Sequence, residues 1–397
     1  MTNAYPLQGV LDGMLVLDLT QVLAGPYCTM MLADHGADVI KIEPPSGDIA
    51  RGLGLYHPTD TDQRHGGYFH SVNRNKRSIV LDLKSPADVD TFRQMARQAD
   101  VVVENFRVGV MDRLGLSYES LRAENPRLVY AAVRGFGDPR TGRSPYADWP
   151  AFDIVAQAMG GLMSITGPSA DAPMKAGPGI GDIVPGLMCA FGIVAAVRLA
   201  ERRGKGQFVD VAMYDAILSI CERLVHQYSV AGVVPTPDGN EHPLVNPFSI
   251  FPATDGWVAI GCPIEAQWQE LARLMGRSDL LDDPTLQSNP ERVRQRDLVR
   301  TAISAWTGDK TKQQIAAVLG GRVPCGPVND VTDIFNDPHI AAREMIAEVE
   351  IAELGQRFAV AGVPVHFADT PGAVRVAGPG LDQHRHEILQ QFGLAAD

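Results

Sequence analysis

The sequence predicts an α/β fold: a doubly wound, mostly parallel sheet of Rossmann-like shape in a large domain, with a smaller α+β domain inserted. Three observations predict it. Short β-branched and aliphatic runs alternate with helix-length segments through the first half of the chain. That alternation stops near residue 231 in a stretch rich in Pro, Gly and Asn, beyond which a T-D-G turn separates two apolar runs. The chain has 397 residues, 45% of them apolar and 21% charged, which is enough for one large core or two ordinary ones.

The elements follow in order. MLVLDL (14–19) is a buried strand, and the turn TQVLAGPYC leads into a helix with Pro26 in its first turn. His35-Gly36 closes that helix, and ADVIKIE (37–43) is the second strand. RSIVLDL (77–83) is the third, after which Ser85-Pro86 starts the helix ADVDTFRQMARQA. DVVVENF (100–106) and RLVYAAV (127–133) are strands again. Helices of this length between strands imply right-handed crossovers and a parallel sheet. The first turn lacks G-x-G-x-x-G, which disfavours NAD or FAD, but ligands of such sheets still sit beyond the carboxyl ends of the strands.

From Phe152 the chain reads as helical: FDIVAQAMGGLM, then DIVPGLMCAFGIVAAVRLAERR. A strand, FVDVAM, and the helix DAILSICERLVHQYSVAG follow. Past the linker come the hairpin SIFPATDGWVAIG and helical segments around 264–276, 296–306 and 310–319. PCGPVND (324–330) marks a second boundary. The expected division is 1–230 for the first part of the large domain, 231–325 for the small one, and 326–397 for a return segment completing the large one. No internal repeat is evident.

Charge and composition narrow the function. The net charge of −12 argues against bulk nucleic-acid binding, which needs a basic face. Five scattered cysteines without C-x-x-C spacing suggest neither disulfides nor zinc and fit a reducing cytoplasm. MTNAYPLQGVLDG lacks the pattern of a secretory leader. IVPGLMCAFGIVAAV (183–197) holds a proline and is shorter than the roughly 20 residues of a span, so it reads as a buried core helix. The histidines show no metal-ligand spacing, and no metal is expected. No G-x-S-x-G elbow or Cys-His constellation stands out.

Three stretches could carry chemistry. Asp182, in GPGIGDIVPGLM, is read as the N-cap of an apolar helix, a role compatible with the same carboxylate acting as a nucleophile, with Gly179 and Gly181 permitting close approach of a ligand. NRNKRS (73–78) is either a solvated charge run or a phosphate anchor. ENFRVG (104–109) is either a structural turn or a ligand contact through Asn105, with Arg107 or Arg113 meeting phosphate.

LTQVLAGPYCTMMLADHGADVIKIE, NRNKRSIVLDL, ADVVVENFRVG, NPRLVYAAVRGFG, FDIVAQAMGGLMSITG and GDIVPG occur in this order. Together they resemble the class III CoA-transferase family, from Leu11 to about Gly393. The resemblance implies an acyl-CoA substrate and a small carboxylic acid, no tightly bound cofactor, and an interlocked dimer of ring-like chains. It implies Asp182, in G-D-x-x-x-G, as the catalytic residue. It places Leu23 and Ala24 in the CoA site, with Asn73, Arg74, Asn75 and Lys76 around the nucleotide. Asn105, Phe106, Arg107 and Arg113 complete that site, and Phe152 and Asp153 flank the pantetheine end. Pro44 stands where many relatives have arginine, and Pro150 where formyl-CoA transferase has a nearby lysine, so Arg74, Lys76 and Arg113 are expected to take over phosphate contacts. The glycine loop of formyl-CoA transferase has no counterpart in 240–262. Phe152 replaces the histidine that related α-methylacyl-CoA racemases use as acid and base, which favours transfer over racemisation; a non-catalytic acyl-CoA binder is the third reading. GLMSITGPSADAPMKAG resembles members handling short dicarboxylates with succinyl-CoA, with Lys175 or Arg140 as partner of a distal carboxylate.

Overall fold

The aliphatic runs pair side by side because each is apolar on both faces and must be covered twice. In the computed structural model, which describes residues 9–394 except Arg64 and Ala352, they form β1 (Leu15–Asp18), β2 (Asp38–Glu43), β3 (Arg77–Val80), β4 (Val101–Glu104), β5 (Val129–Arg134) and β6 (Phe208–Ala212). All pair in parallel in the order β3-β2-β1-β4-β5-β6, with Leu17 opposite both Ile40 and Val102. The order reverses between β1 and β4, the place where a crevice opens at the carboxyl ends of such sheets. The stretches 1–8 and 395–397, where the leader expectation and the ends of the outer domain segments fall, lie outside the described residues.

The described residues divide into two compact units. The larger holds residues up to Leu162, Lys175–Val234 and His339 onward. In one of its core clusters Leu17, Ile40, Val102 and Tyr130 of the sheet meet Phe92, Met95, Ile388 and Leu389 of flanking helices. The C-terminal segment covers the β3 edge: Val80 N–H donates to Asp382 at 2.7 Å, and Arg77 pairs with Glu387. It also forms an antiparallel hairpin, Ile346–Ile351 with Gln356–Ala361. The smaller unit takes in Met163–Met174 and Pro235–Pro338. There the T-D-G signal lies between two antiparallel strands, Phe248–Ala253 and Gly256–Gly261, joined by Cys325–Pro327. Helices including Glu265–Leu274, Arg296–Thr307 and Lys312–Leu319 cover one core around Trp268 and Leu271.

The long apolar segment forms the helix Ile180–Arg203. By length and composition it is the one helix among the described residues able to cross a bilayer. Its expected burial holds for one face only. Gly181, Pro185, Cys189, Ile193 and Ala196 are inside, whereas Leu187, Phe191 and Val194 stand exposed at helical spacing. Gly186 is where this helix meets the helix Ala24–Asp34: a Cβ there would lie 2.5 Å from the Ala24 carbonyl oxygen.

Candidate active site

Beyond the carboxyl ends of β1, β4 and β5 lies a cleft of about 270 Å³. It is lined by Gln21, Leu23, Ala24, Asn105, Phe106, Arg107, Arg134, Trp149, Phe152 and Asp182, among others. A second, more apolar slot of about 240 Å³ shares Gln21 and Phe106 with it and reaches Ile42, Pro44, Leu83 and Lys84 at the ends of β2 and β3.

The turn from β1 into the first helix shapes the cleft. Gln21 is clamped on both sides by Asn105, whose Oδ1 accepts its N–H at 2.9 Å and whose Nδ2 donates to its carbonyl at 2.8 Å. Asn105 is thus bound to the chain itself, and its amide shapes the site by fixing the turn. Phe106 is held in turn by Arg134, whose Nε donates to its carbonyl at 3.1 Å; the same guanidinium pairs with Glu104 and Asp138. Arg134 is nearly fully buried, so this anchor is shielded from salt.

Asp182 is the third residue of the helix Ile180–Arg203 and not its cap. The capping oxygen comes from elsewhere: Asp153 Oδ1 accepts the Gly181 N–H at 2.7 Å. Both Asp153 oxygens also accept from Gln157 Nε2 at 2.9 Å. This leaves the half-buried Asp182 carboxylate with no hydrogen bond or ion pair among the described residues. Burial, and then the neighbouring Asp153 charge, push its pKa up to about 7. The two glycines expected to admit a ligand serve packing instead. A Cβ on Gly181 would meet the Asp153 carbonyl oxygen at 2.5 Å, and one on Gly179 would meet Leu23 Cδ2 at 2.8 Å. The Gly181 N–H is already taken and offers nothing to an oxyanion.

Phe152, 64% exposed, precedes Asp153 as the N-cap of the helix Asp153–Met159 and stands on the cleft wall. Arg107 is on the same wall, exposed and without an ion pair among the described residues. Arg113 is exposed on the next turn but does not line the cleft.

The NRNKRS group does not reach it either. Arg74 is 2% exposed and gives Nε and Nη2 to Asp34 and Nη1 to the Ala361 carbonyl. Asn75 donates to Asp34 at 2.7 Å and to the Ala373 carbonyl at 2.8 Å. Lys76 Nζ, wholly buried, donates to Asp18, to Asn73 Oδ1 and to the Pro26 carbonyl. Burial lowers the Lys76 pKa to about 8 in spite of Asp18. Asn73 completes the knot by donating to the Phe69 carbonyl at 3.0 Å. The expectation that Asn73, Arg74, Asn75 and Lys76 embrace a nucleotide is therefore corrected: their polar groups are consumed inside the protein, where each satisfies a buried partner. Arg140, held by Asp112, Glu119 and Asp138, is likewise committed, and Lys175 is exposed away from the cleft lining.

The sequence reading missed Lys84 and Trp149. Lys84 follows the third strand, where the carboxyl-end rule would have found it. Trp149 is half-exposed against Tyr146 and belongs to a loop without regular pattern. Among the described residues, no group of three or more His, Cys, Asp or Glu could hold a metal.

The model of CoA-transferase family III matches residues 11–385. The chain belongs to that family. As a class III CoA-transferase, it is 46% identical over 387 residues to the succinyl-CoA:mesaconate CoA-transferase of Haloarcula hispanica, covering 97% of each chain. It is 37% identical over 396 residues to the succinate–glutarate CoA-transferase of Agrobacterium fabrum, covering 99% of this chain and 98% of that one. The crystal structure of a CAIB/BAIF family protein from Brucella suis superposes with a TM-score of 0.86 at 34% identity, covering 97% of this chain and all of that one. The transferase thus shares its α/β architecture with a solved member.

Proposed function

We propose that this transferase moves CoA from succinyl-CoA, or a similar short acyl-CoA, to a short dicarboxylic acid, with Asp182 as nucleophile. The observation that carries the reading is the Asp182 carboxylate itself: half-buried on the cleft wall, unpartnered among the described residues, and held near pKa 7. A carboxylate that basic is a better nucleophile than an exposed aspartate, while half of it is still ionised at neutral pH. Relatives whose names join succinyl-CoA to mesaconate and succinate to glutarate support short dicarboxylates.

In this reading an Asp182 oxygen bonds to the thioester carbonyl carbon, the C–S bond breaks, and CoA thiolate leaves. The thiolate then attacks the aspartyl carbonyl of the anhydride, releasing the donor acid and forming an aspartyl-CoA thioester. The acceptor carboxylate displaces the thiolate again, making a second anhydride. Thiolate attack on the acceptor's acyl carbon of that anhydride yields the new acyl-CoA and frees Asp182. The pantetheine arm would run along Leu23, Ala24 and Phe152, with the nucleoside in the slot beside Phe106 and Pro44. Arg107, Lys84 and Arg113 remain to meet its phosphates, because Arg74 and Lys76 are consumed internally. Racemisation in the related enzymes uses a histidine at the position of Phe152, and phenylalanine has no proton to give or take there.

The exposed stripe of Leu187, Phe191 and Val194 supports a homodimer, a second copy being the occupant that would cover it. Five free thiols suit a reducing cytoplasm.

The test is chemical trapping. Incubation with acyl-CoA and hydroxylamine should modify Asp182, and Asp182→Ala should lose CoA transfer about 10³-fold or more. A panel of CoA donors against short mono- and dicarboxylic acceptors would name the pair. Transfer at full rate by Asp182→Ala would end the covalent reading, and CoA binding without any turnover would make the protein a binder.

A further inference from the structure

Val22 is a β-branched residue with φ of +69°, a backbone conformation that such side chains rarely adopt. It sits between Gln21 and Leu23, on the wall of the cleft. Outliers of this kind persist only where the surroundings over-determine them. Here the surroundings are specific. Asp48 Oδ1 accepts the Val22 N–H at 3.1 Å. Lys41 Nζ donates to the Thr20 carbonyl at 2.8 Å and pairs with Asp48 Oδ2 at 2.8 Å. Both side chains are wholly buried. One closed ion pair therefore grips the turn at residue 20 and again at residue 22, while Asn105 grips residue 21. Asp48 is itself fixed: its N–H donates to Glu43 Oε2 at 3.0 Å, and its Oδ1 also accepts the Ala50 N–H at 2.9 Å.

What the grip achieves is a direction of chain. After Val22 the backbone enters the helix Ala24–Asp34 with Leu23 as an N-cap that makes no side-chain hydrogen bond. Leu23 and Ala24 line the same cleft as Asp182.

We infer that Asp48 is a positioning residue for acyl-CoA binding, acting through Val22: it holds the left-handed turn that presents Leu23 and Ala24 to the ligand. The inference rests on reading the cleft as the CoA site. Asp48 lies outside the cleft lining and acts only through the backbone it ties. Its work is preorganisation, so its removal should weaken binding while leaving the chemical step at Asp182 nearly untouched.

A double-mutant cycle separates this role from a merely structural one. Glycine reaches positive φ without help, so Val22→Gly should make Asp48 dispensable for the turn. With the full chain and coenzyme A in a calorimetric titration, Asp48→Ala should weaken Kd about tenfold in the wild-type background and less than about threefold in the Val22→Gly background. In turnover with acyl-CoA, KM should follow the same pattern and kcat should move less than about threefold. An equal loss in both backgrounds, or a loss confined to kcat, overturns the proposal. If Asp48→Ala does not fold, Asp48→Asn is read in the same cycle, with a smaller loss expected because an amide oxygen still accepts from Val22. Wild-type protein that fails to bind coenzyme A would refute the cleft assignment itself. Wild-type binding that is indifferent to Asp48 would refute only this role.

Discussion

Asp153 Oδ1 accepts the Gly181 N–H at 2.7 Å, so the residue that caps the helix is also the charge that, after burial, raises the pKa of Asp182, one position further on. A single carboxylate does two things at once. It satisfies an otherwise orphaned donor at the helix start, and it places a like charge beside a half-buried acid, which makes that acid harder to ionise.

The first prediction concerns the rate. Attack needs Asp182 ionised, so with a pKa of about 7 the single-turnover rate should fall on the acid side of neutrality, about tenfold per pH unit. Asp153→Asn keeps an oxygen for the Gly181 N–H but removes the like charge. The acid limb should move to lower pH in that variant, measured by single-turnover transfer. A limb that stays in place would mean that Asp153's charge does not reach Asp182.

Stability should show the opposite sign. The folded pKa of Asp182, about 7, lies above its ordinary 3.8. Below pH 3.8 both folded and unfolded chains hold the proton. Between 3.8 and 7 the unfolded chain gives it up first, so the folded state loses stability as pH rises, and the loss is complete above 7. Asp182→Asn removes that loss. Its melting temperature relative to wild type should therefore rise by a few degrees between pH 5 and pH 8; an unchanged difference would show that the carboxyl is well solvated.

The cations of the sequence divide into two kinds, and mutation should separate them. Lys76→Met leaves Asp18 buried without its nearest cation. That should cost about 3–5 kcal/mol and lower the melting point on the order of 10 °C. Arg107→Ala removes an exposed side chain from the cleft wall. It should leave the melting point within about 1 °C but raise KM for acyl-CoA about tenfold, or ~1.4 kcal/mol. If Lys76→Met melted normally and raised KM, the phosphate role first expected of it would return.

How far the sequence could be read follows from these same residues. The strands were legible because a run such as DVVVENF has one stable use in a large chain, and their parallel pairing followed from helix-length connections. The order β3-β2-β1-β4-β5-β6 confirms a doubly wound sheet. Asp182, Phe152, Leu23 and Arg107 line one cleft. What the sequence hid was the partner of each polar side chain. Nothing local tells that Arg74 faces Asp34, forty positions earlier, or that Lys76 faces Asp18. A basic cluster looks the same whether it meets solvent, phosphate or buried acids. The cap was misassigned for the same reason, since Asp153 arrives from another helix, 28 positions away from Gly181. The hairpin at 346–361 escaped although Gly355 marks its turn, because IAEVEI and QRFAVA intersperse charged residues and neither reads as a clear apolar run.

The last prediction is of assembly. Leu187, Phe191 and Val194 lie at positions i, i+4 and i+7 of one helix, and Phe191 is 78% exposed. Their opposite face is packed against the core through Cys189, Ile193 and Ala196, so the helix cannot rotate to hide them. Covering one such aromatic ring contributes about 2–3 kcal/mol per copy, and in a two-fold interface each substitution acts twice. Phe191→Asp puts a charge in the middle of that stripe without touching the inner face. Sedimentation or light scattering should find wild type as a dimer, and Phe191→Asp shifted to monomer or to irregular aggregate. The melting temperature of any monomer should depend less on protein concentration than that of wild type. A Phe191→Asp protein that remained a dimer of unchanged stability would place the interface on another surface.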